Sequence, residues 1–89
     1  MGEKIYLFGK GEVLKEALAH KVFDNYEICG VLDNACIENG AYVDGFKIFK
    51  PSFIEDPMVC ITNISRAESV KQLLDLGYRK FMVLLNLDG

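Results

Sequence analysis

Apolar positions along this chain fall in short blocks, and the spacing inside each block separates strands from helices. Residues 4–8 (KIYLF) are apolar and β-prone and stop at Gly9-Lys10-Gly11, the pattern of a buried strand running into a glycine turn. From Glu12 onward, Leu14, Ala17, Leu18 and Lys21-Val22 recur at helical spacing, with Lys15, Glu16 and His20 elsewhere around the wheel, which predicts an amphipathic helix. Residues 26–32 (YEICGVL) read as a second strand, closed by the turn formers Asp33-Asn34. Residues 33–45 (DNACIENGAYVDG) are the most polar stretch, a loop carrying a short hairpin with Asn39-Gly40 and Asp44-Gly45 as its turn dipeptides.

After a brief strand at Phe46–Phe49, Pro51 suits the first turn of a short helix through Glu55, which Pro57 ends. Residues 58–62 (MVCIT) form an unbroken apolar strand, as expected where both sheet faces are covered. Ser65-Arg66-Ala67-Glu68 has the form of a capping box, with Ala67, Val70, Leu73 and Leu74 as the buried stripe behind it and Gly77 as the C-terminal cap. Residues 81–85 (FMVLL) close the chain as a last buried strand.

Strands alternating with helices over short loops place the chain in the α/β class. The expected architecture is a small Rossmann-like three-layer sandwich with a mainly parallel sheet of four to five strands. Its main strands run in the spatial order second, first, third, fourth. Winding direction then reverses between the first and third main strands, so a crevice opens at their C-terminal ends, with Gly9 to Glu12 facing Thr62 to Ser65. The 89 residues suffice for one domain, standing alone or as a piece of a larger protein. A hydrophobic content of 51% is too high for a disordered chain.

Charge narrows the partners. The 10 Lys+Arg and 13 Asp+Glu are interspersed and sum to −3, which leaves no concentrated basic surface for nucleic acid. The longest apolar stretch, residues 81–85, is far below the ~20 residues that span a bilayer. No signal-peptide pattern opens the chain, so the cytoplasm is the expected location and a membrane is not an expected partner. Cys29, Cys36 and Cys60 form no CxxC or CxH pair and read as reduced, mostly buried thiols, with Cys36 the exposed one; no metal site is expected.

Candidate chemistry concentrates at the first turn. Backbone amides at a strand-to-helix glycine turn point outward and, with the helix dipole, favour phosphate. Asp33 lies 22 positions after Gly11 at the end of the next strand, where a carboxylate accepts from ribose hydroxyls. Lys10 offers a cation to the phosphate, and the Gly11 and Glu12 amides donate to it. A GxGxxG fingerprint would place glycine or alanine at Leu14, so the spacing favours nucleotide contact over full dinucleotide binding. Catalytic arrangements are not found: His20 has no nucleophile at motif spacing, Tyr6 and Lys10 run off a strand, and Asp24, Glu27, Asp44, Glu55 and Asp56 are scattered as a solvated surface would be.

Four segments together resemble a known set: IYLFGKGEV at 5–13, ICGVLD at 28–33, VDGFKI at 43–48, and LLDLGY at 73–78 with Phe81. They look like a family of small Rossmann-like domains from bacterial cell-surface sugar enzymes, found as N-terminal domains of nucleotide-sugar acetyltransferases and membrane-linked sugar dehydratases and as modules attached to sugar methyltransferases. The resemblance implies that Gly9, Lys10, Gly11 and Asp33 hold the nucleotide part of a sugar donor, with Thr62 and Asn63 across the crevice; the neighbouring Glu12 and Asn34 complete the candidate nucleotide-binding set. Glu12 and Val13 stand where the acetyltransferase branch has a glycine and a histidine, and these 89 residues contain no hexapeptide repeats.

The expected function is therefore a non-catalytic nucleotide or nucleotide-sugar binding module beside, or fused to, a sugar-modifying catalytic domain. Two alternatives stay open. One is a ligand-free interaction domain that docks a partner, a second copy included, through a sheet edge or helix. The other is an NAD(P)-binding fragment of a sugar dehydratase or dehydrogenase.

Overall fold

The computed structural model describes residues 2–43, 45–54, 58–63 and 65–84. Its elements follow the order β1 (Glu3–Phe8), α1 (Glu12–Ala19), β2 (Tyr26–Leu32), β3 (Ala41–Val43), β4 (Phe46–Phe49), β5 (Met58–Ile61), α2 (Arg66–Leu76) and β6 (Met82–Val83). All strands join one sheet in the order β3-β4-β2-β1-β5-β6, parallel throughout except for the β3/β4 hairpin. The four main strands stand in the order expected. Among the described residues the sheet has six strands where four to five were expected, because the short segment 41–43 pairs with Phe46–Phe49 and adds an edge strand.

Alternation along the strands builds two cores. Ile5 and Leu7 point to one face, where they meet Leu14 and Ala17 of α1 together with Phe23, Val31, Ile48 and Cys60. Phe8 points to the other, against Leu32, Val59, Ile61, Leu73 of α2 and Tyr78. With a helix on each face, strands β1, β2 and β5 must be apolar on both sides, which is why their sequences run unbroken. Each large side chain so buried contributes roughly 1.5–3 kcal/mol.

Cys29 interrupts this register. Ile5 aligns with Ile28 and Tyr6 with Gly30, so Cys29 is an extra residue on β2. The insertion sends Gly30 to the α2 face, where a Cβ would stand 2.7 Å from the Phe49 ring. Phe49 in turn meets Tyr6 edge to face at 6.3 Å. The bulge also leaves Cys29 half-buried, as is Cys36, so only Cys60 is a fully buried thiol.

Several local expectations are corrected. Residues 51–54 are not helical. The Tyr78 hydroxyl donates to the Ser52 carbonyl at 2.7 Å and accepts from the Ile54 amide at 2.8 Å, which diverts the groups a first helical turn would use. Glu55 and Pro57 lie outside the described residues, as does Leu85 of the last strand. The hairpin connection is the two-residue step 44–45 between β3 and β4, with Gly45 at φ 87°; Asp44 lies outside the described residues. Asn39-Gly40 precedes β3 instead, and the Asn39 carboxamide accepts from the Lys50 amide at 2.7 Å.

The buried stripe of α2 is rotated from the expected one. Ser69 and Leu73 are buried, whereas Ala67 and Leu74 face outward, Leu74 with 47% exposure. The helix ends as expected: Gly77 is left-handed, its amide donates to the Leu74 carbonyl, and the Tyr78 amide donates to the Leu73 carbonyl. Helix α1 stops at Ala19 in the same way, with Lys21 at φ 57° donating to Leu18 and Val22 donating to Ala17. Leu18 is consequently more exposed than its helical spacing suggested, and Phe23, beyond the helix, takes a core position.

Candidate functional site

Where β1 and β5 end side by side, the chain leaves both into helices, and a crevice of about 270 Å³ opens between the two exits. Residues Phe8 to Gly11 form one wall with Asp33 and Asn34; Asn63, Ser65, Glu68, Ser69 and Gln72 form the other.

The glycine turn is held rigidly. Gly9 sits at φ 111°, and a Cβ there would stand 2.7 Å from the Asn63 Cβ. Its amide donates to the Leu32 carbonyl at 2.8 Å. The Lys10 amide donates to Asp33 Oδ2 at 3.0 Å, and Asp33 Oδ1 accepts from the Ala35 amide at 2.8 Å. The expectation that every peptide nitrogen past Phe8 stands outward is thus corrected for Gly9 and Lys10. Gly11 is extended (φ −157°), with nothing within 4 Å of a Cβ position. Asp33 keeps further acceptor capacity, since each carboxylate oxygen has a second lone pair.

Thr62, expected across the crevice, lies behind the turn instead. It is fully buried and off the crevice wall. Its hydroxyl donates to the Gly9 carbonyl at 2.7 Å, with the Phe8 carbonyl at 3.3 Å, so it clamps the turn from behind. Asn63 does reach the crevice; its carboxamide accepts from the Ser69 hydroxyl at 2.9 Å. Leu14 is turned into the core beneath α1, 2% exposed, and does not fill the crevice. Glu12 also stands off this wall, exposed and 3.7 Å from Lys15.

Both helices begin without a side-chain cap. Gly11 has no side chain to give, and Ser65, at φ −87° and ψ 58°, makes no cap hydrogen bond, so the expected capping box does not form. The extended backbone that normally aims an N-cap hydroxyl at the helix is absent at Ser65. Two sets of first-turn amides therefore start at the same crevice, each at the positive end of its helix.

Glu68, Ser69 and Gln72 were not foreseen as site residues. With Ser65 they occupy positions i, i+3, i+4 and i+7 of α2, a polar stripe at helical period facing the crevice. Reading Ser65 and Glu68 as a capping box hid that stripe. Gln72 also joins Asn34: the Asn34 amide donates to Gln72 Oε1 at 3.1 Å, and the Gln72 amide donates to Asn34 Oδ1 at 2.7 Å. His20 is exposed at the far end of α1. Among the described residues, no three His, Cys, Asp or Glu side chains group as a metal ion would require, and no helix is long and apolar enough to cross a membrane.

No protein-family model and no curated protein matches this chain.

Proposed function

We propose that this chain is a non-catalytic nucleotide or nucleotide-sugar binding module of the Rossmann-like type, akin to the small domains of bacterial surface-sugar enzymes that its motifs resemble. One observation supports the reading above the others: two uncapped helix starts and two carboxylates, Asp33 and Glu68, converge on a single crevice. Amides at the positive helix ends suit a phosphate, and carboxylates suit the hydroxyls of a ribose or hexose. Of the expected set, Gly9, Lys10, Gly11, Asp33 and Asn63 line this crevice, as does Asn34, whose carboxamide is paired with Gln72. At about 270 Å³, the crevice falls just short of the roughly 300–1,000 Å³ usual for drug-sized ligands, which suits one nucleotide better than a dinucleotide. The same two carboxylates oppose a polyanion, so the expected affinity is weak, on the order of millimolar.

Titration with uridine and adenine monophosphates, followed by amide NMR signals, tests this directly. Shifts at Gly11, Glu12 and the first turn of α2 are expected at millimolar ligand. Signals there that stay in place while ligand is raised tenfold overturn the proposal.

A ligand-free interaction domain is favoured by a different observation: Ile37 and Tyr42, 91% and 73% exposed, lie on and beside the free edge strand β3. Solution mass separates the two readings, since a strictly monomeric, nucleotide-binding species argues against edge docking.

A further inference from the structure

The Asn34–Gln72 pair joins the two walls of the crevice across 38 positions of sequence. Asn34 follows Asp33, whose carboxylate bridges the glycine turn and Ala35 and so positions the loop. Gln72 projects from the polar stripe of α2. Their carboxamides meet head to head, each giving one N–H and taking one in return. Both hydrogen bonds are exposed, where water competes on equal terms, so the pair adds little to stability and is readily exchanged for another partner of the same shape.

That shape is specific. A carboxamide presents one donor and one acceptor side by side, and the imide edge of a uracil-type base, N3–H beside a carbonyl, presents the matching pair, whereas the trans N-acyl amide of a sugar holds its N–H and C=O on opposite sides. We propose that Gln72 reads such an edge on the ligand and that the Asn34 carboxamide holds, on Gln72, the place the ligand's edge takes. The inference rests on the nucleotide reading of the crevice and names its specificity element.

Two ligand pairs test it: uridine monophosphate against ribose 5-phosphate, which lacks the base and its edge, and, as the control with an amide but no side-by-side edge, N-acetylglucosamine 1-phosphate against glucose 1-phosphate. Wild-type protein is expected to prefer uridine monophosphate over ribose 5-phosphate by roughly tenfold, as one bidentate edge contact gives. A preference in the sugar pair alone overturns the inference, because a trans amide cannot exchange both hydrogen bonds with one carboxamide. Gln72→Ala brings the preferred pair's affinity ratio to near one. Asn34→Ala removes the competing carboxamide and tightens the edge-bearing ligand by roughly three- to tenfold, whereas a merely structural latch would weaken it. Gln72→Glu, an acceptor-only group, shifts preference from uridine to guanosine monophosphate, whose base offers two adjacent donors. A ratio near one in the wild-type uridine pair, or weakening by Asn34→Ala, overturns the inference while leaving the crevice reading intact; failure of all four ligands to bind overturns both.

Discussion

Gly9 and Gly11 stand two residues apart under opposite constraints. At Gly9 the left-handed backbone and the close approach of Asn63 exclude any side chain, whereas Gly11 is extended and opens onto free space. The first glycine is required by the fold; the second keeps the backbone bare beside the crevice. Lys21 is the converse case, a side chain in a conformation that suits glycine. A non-glycine residue there costs about 1 kcal/mol, so Lys21→Gly is expected to raise unfolding free energy by roughly 0.5–1 kcal/mol in urea titration. A glycine at position 21 would have announced the end of α1; a lysine gave no such signal, and the expected helix ran three residues too far, to Val22.

At the scale of elements, α2 shows how a correct element can carry an incorrect face. Its length, its Gly77 terminus and the burial of Leu73 were legible from composition and spacing. Its orientation was not, because Ser69, a polar residue, is buried and bonded to Asn63, while Leu74 faces outward. Tyr78 then acts beyond its own element by holding Ser52 and Ile54. Tyr78→Phe removes both hydrogen bonds and leaves the ring in place. It is expected to destabilise the protein by about 1–3 kcal/mol and to speed hydrogen exchange at the Ile54 amide, read by urea titration and NMR. An unchanged Ile54 exchange rate would show that the hydroxyl does not anchor this segment.

Over the whole molecule, the two cores meet only through the sheet, and Cys60 lies at its centre on the α1 side. Burial pushes its thiol from 9.0 up to about 11, and burial likewise raises the Tyr78 hydroxyl. Both groups favour their neutral forms in the folded state. The stability Cys60 contributes is therefore complete below pH 9 and is lost as pH climbs toward 11, by roughly 2–3 kcal/mol. Urea midpoints at pH 8 and pH 11 should fall accordingly, and Cys60→Ala should flatten most of the difference. An equal fall in the variant would assign the alkaline loss elsewhere. At neutral pH, iodoacetamide should reach the half-buried Cys29 and Cys36 well before Cys60.

What the chain determined locally was the set of main strands, their parallel order and the place where the crevice opens. These follow from the length of apolar runs, the position of glycines and the handedness of crossovers, which act within a few neighbouring residues. Tertiary structure alone decided that Thr62 is buried behind the turn, that Tyr78 keeps residues 51–54 out of a helix, and that Asn34 meets Gln72. Each of those outcomes is a hydrogen bond between groups at least 24 positions apart, or a side chain's burial against a distant strand. No local periodicity encodes such a partner, because its energy appears only once the sheet has brought the two segments together.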